Sequence, residues 1–168
     1  MDPDRRALFA ELVSDRSQAM LRSACLLTGD WGLAEDLLQT ALTKTWFAWG
    51  SLREPAAAEA FVRTTMTRLF LSWRRRRWRG EVATGFLPEV TTDGQLGRVE
   101  DGDRLRRALA ALPPRSRAMV VLRFYADLSE AQVAETLGCS VGTVKSTVSR
   151  ALAQLREPVT ATRQENPR

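Results

Sequence analysis

The chain has 168 residues, 44% of them apolar, with 25 Lys and Arg against 20 Asp and Glu for a net charge of +5. That is enough apolar material for packed cores, which excludes a disordered chain, and no run of about 18 uncharged apolar residues is present to cross a membrane. Histidine is absent, which removes the commonest general base, the commonest metal ligand and every Ser-His or Cys-His nucleophile pair.

There is also no Gly-rich phosphate loop and no Cys-x-x-Cys pair, so neither an enzyme nor a metal or other cofactor is expected. Cys25 and Cys139 lie far apart in helical patterns and are expected as reduced thiols. Met1-Asp2-Pro3-Asp4-Arg5-Arg6 has no apolar signal core behind it, so the expected location is the cytoplasm, without membrane insertion.

Over residues 5–28 the positions Leu8, Phe9, Leu12, Val13, Ala19, Met20, Ala24 and Leu27 recur at helical spacing, and Thr28-Gly29-Asp30 ends the segment. A second helix is predicted over 33–49, carrying Glu35 and Asp36 in its first turns, where the helix dipole favours acids. Residues 50–55 are a loop. A third helix is predicted over 55–78, burying Phe61, Val62, Met66, Leu69, Phe70 and Trp73 and ending in Arg74-Arg75-Arg76-Arg77-Trp78-Arg79. From 80 to 102 the periodicity dissolves into glycine, threonine, proline and acid, a linker predicted to be flexible when free.

Helical periodicity returns at Arg104 with Leu105, Ala108, Leu109 and Leu112, breaks at Pro113-Pro114, and resumes over 115–125. Residues 127–155 then read as two short helices joined by a tight turn. Ser129 is the expected N-cap of the first, with Gln132 closing a capping box, and Val133, Ala134 and Leu137 form its apolar face. Gly138 ends it in the left-handed conformation, and Ser140 caps the next helix. That helix places Val144, Val148, Ala151, Leu152 and Leu155 on one face and Thr143, Lys145, Ser146, Ser149 and Arg150 on the other. Short hydroxyls beside long cations suit a major-groove reader, and the motif is a helix-turn-helix. An ordinary amphipathic hairpin with a solvated polar face is the plainer alternative. The last residues, from about 158, read as a frayed tail.

Charge is distributed in blocks. Residues 1–60 carry nine acids and six bases, 61–79 seven arginines and no acid, 80–103 six acids against Arg98, and 104–156 nine bases and three acids. Two basic modules flanking an acidic connector are the pattern of a protein that touches nucleic acid at two separated places.

With an arginine-tipped helix in the first module and a helix-turn-helix in the second, nearly the whole chain resembles the extracytoplasmic-function sigma factors of bacterial RNA polymerase, and within them the small actinobacterial group with only the two conserved domains. Residues 26–40 resemble the family's core-binding region 2.2, 61–79 its promoter-melting and −10 regions, and 112–125 the opening of its region 4. The resemblance implies an all-α fold of two small helical domains joined by a flexible acidic linker. The expected domains are 1–79, a region 2 bundle for polymerase and the −10 element, and 104–158, a region 4 helix-turn-helix for the −35 element. Residues 80–103 are then the linker and 159–168 a disordered tail.

By resemblance, Glu35, Asp36, Gln39, Thr40 and Lys44, which share one flank of the second helix, dock on the coiled coil of the polymerase β′ clamp. Region 4 would meet the β flap. The loop 49–55 would capture a flipped base, which implicates Trp49, Ser51 and Leu52. Arg68, Arg74, Arg75, Arg76 and Arg77 with Trp78 would hold the unpaired −10 strand on a positive, aromatic surface. Trp73 is assigned to the core, and a membrane-lying role for this helix is set aside because residues 61–73 are needed to close the first core. Thr143, Lys145, Ser146, Ser149 and Arg150 would read the −35 element; Thr147 and Leu152 stand where many members have arginine. The acidic linker would thread near the polymerase's active-site cleft, although an acidic linker is also simply soluble. The implied partners are core polymerase and promoter DNA, with an anti-sigma factor admitted by the resemblance. The alternative is a stand-alone helix-turn-helix regulator binding an operator without polymerase.

Overall fold

The computed structural model describes residues 3–52, 55–78 and 100–156, and among them every regular element is helical. The all-α expectation holds. Helix α1 spans Pro3–Thr28, α2 Trp31–Ala48 and α3 Pro55–Trp78, with a 3-10 turn at Trp49–Ser51 leaving α2. Helix α4 spans Glu100–Ala111, α5 Pro114–Val120, α6 Glu130–Leu137 and α7 Val141–Arg156, and Val121–Tyr125 extend α5 as a π-helical turn.

The α1–α2 corner is made by two residues. Gly29 takes φ +76° and donates its N–H to the Cys25 carbonyl at 2.8 Å, a conformation that costs glycine little. Asp30 then caps α2, its Oδ1 accepting the Leu33 N–H at 2.7 Å. The chain folds back, and Met20, Ala24, Cys25 and Leu27 of α1 meet Ala34, Leu37, Leu38 and Ala41 of α2 and Val62, Met66 and Phe70 of α3 in one core. Each fully buried large apolar side chain contributes about 1.5–3 kcal/mol to such a core. Two buried threonines fit because their hydroxyls donate inside their own helices, Thr45 to the Ala41 carbonyl and Thr67 to that of Arg63.

Several expectations shift. Phe61, Leu69 and Trp73 are half-buried, and Leu8 is exposed beyond the reach of the core. Helix α4 begins at Glu100, four residues before the predicted boundary. Pro113 and Pro114 do break the chain, and Pro114 is the first residue of α5, where its missing N–H costs nothing. Most of the predicted linker and the whole C-terminal tail lie outside the described residues.

In the second half the predicted hairpin forms as read. The Ser129 hydroxyl accepts the Gln132 N–H, and the Gln132 side chain accepts the Ser129 N–H, completing the capping box. Gly138 takes φ +62°, and the Ser140 hydroxyl accepts the Thr143 N–H at the start of α7. Met119, Leu122, Val133, Ala134, Val144 and Val148 make a second core. Leu152 and Leu155 are half-buried rather than buried, Leu152 packing against this second core and Leu155 against the first. Both cysteines are free, Cys25 buried and Cys139 half-buried.

Leu109, Leu112, Ala118, Val120, Val121 and Ala151 do not join that second core. They are buried in the same cluster as α1, α2 and α3, so the two halves of the chain pack on each other. The sequence offers no sign of this shared seam.

Candidate nucleic-acid interface

The polar face of α7 is set by what holds the helix. Val144 and Val148 turn inward to the second core, and the caps at Ser140 and Gly138 fix where the helix starts. Thr143, Lys145, Ser146, Ser149 and Arg150 are in consequence all exposed. Some are already engaged: Thr143 shares a 2.8 Å hydroxyl contact with Ser140, and the Arg150 Nε donates to the Ser146 carbonyl. Lys145 Nζ lies 3.7 Å from Glu130 Oε2 on α6. Thr147 is half-buried beside the core.

On α3 the side chains of Arg68, Arg74, Arg75, Arg76 and Arg77 are exposed, as a phosphate-binding surface requires. Trp78 is the last residue of the helix, and its side chain lies outside the described residues. The expectation for Trp49 is corrected. It is only 5% exposed and packs edge-on against Phe9 with ring centroids 5.1 Å apart, so its ring cannot stack on a base in this arrangement. Arg5, which the sequence did not single out, donates to the carbonyls of Trp49 and Gly50 and ties this turn to α1. Ser51 is exposed, its hydroxyl donating to the Ala48 carbonyl, and Leu52 is half-buried.

The flank of α2 is brought together as expected. Glu35, Asp36, Gln39 and Lys44 are exposed and Thr40 half-buried. Glu35 accepts the Trp31 indole N–H at 2.8 Å, and Thr40 donates to the Asp36 carbonyl. Phe47 was missed: it is 82% exposed and follows Thr40 by two helical turns on the same flank. The seven-residue spacing from Thr40 is the signal in the sequence that places it there.

Between the halves lies an open cleft of about 990 Å³, lined by Arg68, Arg74, Arg75 and Arg77 of α3 and Arg115 of α5, with no acid among its described lining residues. Arg68 donates from Nε to the Thr136 carbonyl and Arg115 to that of Leu137, both at the C-terminal end of α6. Beneath them Arg117 is 3% exposed. Burial, and after it the nearby charge of Arg74, pushes its guanidinium down to about 10, so it remains a cation at neutral pH. Among the described residues no group of His, Cys, Asp and Glu is placed to hold a metal, and no helix is long and apolar enough to cross a membrane.

The chain matches two family models, Sigma-70 region 2 over residues 12–80 and Sigma-70, region 4 over residues 102–155. It is 42% identical over 153 residues to the RNA polymerase sigma-E factor of Streptomyces coelicolor, covering 91% of this chain and 86% of that protein. The ECF RNA polymerase sigma factor SigL of Mycobacterium tuberculosis is 32% identical over 157 residues, covering 89% and 88% of the two chains. Among solved structures, the sigma factor RpoE in complex with the anti-sigma factor NepR from Bartonella quintana superposes with a TM-score of 0.75 at 28% identity, over 92% of this chain and 98% of that one.

Proposed function

The chain belongs to the sigma-70 family as an RNA polymerase sigma factor of the extracytoplasmic-function type, and from that premise we propose how its surfaces divide the work of initiation. It binds core polymerase and directs promoter-specific transcription; the family match and the relatives' names favour this over a stand-alone operator-binding regulator. The role is one of binding and recognition, carried out in the cytoplasm, with no bond chemistry of its own. An anti-sigma factor is a further partner by analogy with the RpoE complex.

The exposed flank of α2, Glu35, Asp36, Gln39, Thr40 and Lys44, docks on the β′ clamp coiled coil, and region 4 meets the β flap. Phe47 lies on that flank as an apolar anchor of the kind that dominates protein interfaces. On α3, Arg68 and Arg74 to Arg77, with Trp78, hold the −10 strand by phosphate neutralisation and stacking, and Ser51 and Leu52 line the loop that takes the flipped base. Trp49 supports that loop from below. Thr143, Lys145, Ser146, Ser149 and Arg150 read the −35 element in the major groove.

One observation carries the reading: these five residues on α7 are all exposed on a helix whose opposite face is buried, Val144 and Val148 in the second core and Ala151 in the first. A reading head needs that combination of rigid placement and open side chains. The test is run-off transcription with purified bacterial core polymerase on a library of promoter fragments, with and without the chain. Transcripts that need both components are expected; DNA binding without core-dependent transcripts would refute the reading.

A further inference from the structure

The −10 and −35 surfaces assigned above cannot be used together in the packed arrangement. Their elements lie about 25 base pairs apart, roughly 85 Å at about 3.4 Å per pair. A compact chain of 168 residues has a radius of gyration of only about 15 Å. The halves must part on a promoter, which raises the question of what holds them together beforehand.

We propose that Arg117 is an interdomain latch that closes the α4–α7 half onto α1–α3, and that it must withdraw before both promoter elements can be bound. The inference rests on the division of surfaces proposed above. From α5, Arg117 reaches three elements at once. Its Nη1 donates to the Leu27 carbonyl in the last turn of α1 at 2.7 Å, and its Nη2 donates to the Ala110 and Leu112 carbonyls at the end of α4, at 2.8 and 3.2 Å. Its guanidinium carbon lies 5.8 Å from the centre of the Phe70 ring on α3. The last carbonyls of a helix have no partner within it and carry the negative end of its dipole. Two such ends converge here on one planar cation: the Leu27 bond crosses the seam, while the Ala110 and Leu112 bonds anchor the guanidinium within its own half.

Two further polar ties across the seam are exposed: Arg22 to the Tyr125 hydroxyl and Arg68 to the Thr136 carbonyl. The second occupies one of the arginines assigned to the −10 strand. Closure is opposed as well as favoured. Arg117 Nε is buried without a hydrogen-bond partner among the described residues, and the cleft above it gathers Arg68, Arg74, Arg75 and Arg115 with no acid in its described lining. Like charges across a seam repel, and salt screens them. The latch is therefore a releasable one, and higher ionic strength favours the closed form.

The test uses the full chain with spin labels at Asp15→Cys on α1 and Gln154→Cys on α7, both exposed positions, in a Cys139→Ser background. Pulsed dipolar spectroscopy reads their separation in the free protein and with core polymerase. The expected results are a short, narrow distance in the free chain, a broad and longer one in Arg117→Gln, and a long one when polymerase is bound. If the open form is about one-tenth of the free population, Arg117→Gln tightens polymerase binding by up to about tenfold. An unchanged short distance in a folded Arg117→Gln, or a free chain already extended, overturns the latch. A salt titration of the unsubstituted Arg117 protein stands even where the variant fails to fold: the short-distance population should grow with salt, and a fall or no change would refute the releasable closure. Failure of polymerase to bind the starting chain would instead refute the functional reading, leaving the free-chain distances to decide the latch.

Discussion

Lys145 and Glu130 offer the sharpest test of the proposed −35 reading surface, because the structure predicts opposite effects for two neighbouring substitutions. Lys145 Nζ stands 3.7 Å from Glu130 Oε2, with side chains 64% and 38% exposed. An ion pair so exposed is worth only about 0–1 kcal/mol, whereas a cation on a base edge is worth about 1–3 kcal/mol. Lys145→Ala should therefore weaken −35-dependent binding by roughly 5- to 150-fold, since every 1.4 kcal/mol or so is tenfold. On binding, Lys145 must leave Glu130, and that carboxylate also repels phosphate. Glu130→Ala removes both penalties and should strengthen binding by up to about fivefold. The assay is run-off transcription with core polymerase on a promoter with its own −35 element and on one with that element scrambled, together with competition binding across a range of salt. If Lys145 instead meets phosphate, Lys145→Ala lowers the salt slope by about one. Unchanged initiation in Lys145→Ala, or a loss in Glu130→Ala as large as that in Lys145→Ala, would refute the assigned face.

Gly138→Ala should destabilise the helix-turn-helix by about 1–2 kcal/mol in urea unfolding, because a Cβ there meets nothing within 4 Å and only the φ of +62° is penalised; Gly138→Asn should lose less, and an unchanged Ala variant would show that the left-handed turn is not required. Trp49→Ala should cost about 3–5 kcal/mol as a core deletion while Trp49→Phe retains most of the stability and the promoter opening; lost opening in a stable Trp49→Phe would return the indole to the DNA surface. Burial pushes the Cys25 thiol up from 9.0 to about 11. The unfolded chain then releases that proton first, so stability should fall as pH rises from about 9 to about 11, and Cys25→Ala should remove that slope in denaturation measured across the range. Over the same range an alkylating reagent should label Cys139 before Cys25.

What was legible in the sequence is what acts within a few residues or within one helix. Ser129 with Gln132, Gly138 and Ser140 each satisfy backbone groups three or four positions away, so their roles follow from spacing alone. The exposed faces of α2 and α7 were legible for the same reason, since the apolar stripe that buries one side of a helix fixes the other side as polar surface. The burial of Trp49 and Arg117 and the bareness of Phe47 were not. An aromatic residue at a helix end is a base platform or a core plug depending on what another helix lays over it, and Phe9, distant in the chain, covers Trp49 while nothing comparable among the described residues covers Phe47. An arginine in an amphipathic helix reads as a surface cation. It becomes a buried tie only because the ends of α1 and α4 bring unpaired carbonyls to the same point. Local chemistry determined the helices, their caps and their exposed polar faces; the tertiary structure alone decided which face each half turns to the other, because that depends on groups far apart in the chain meeting in one low-dielectric seam.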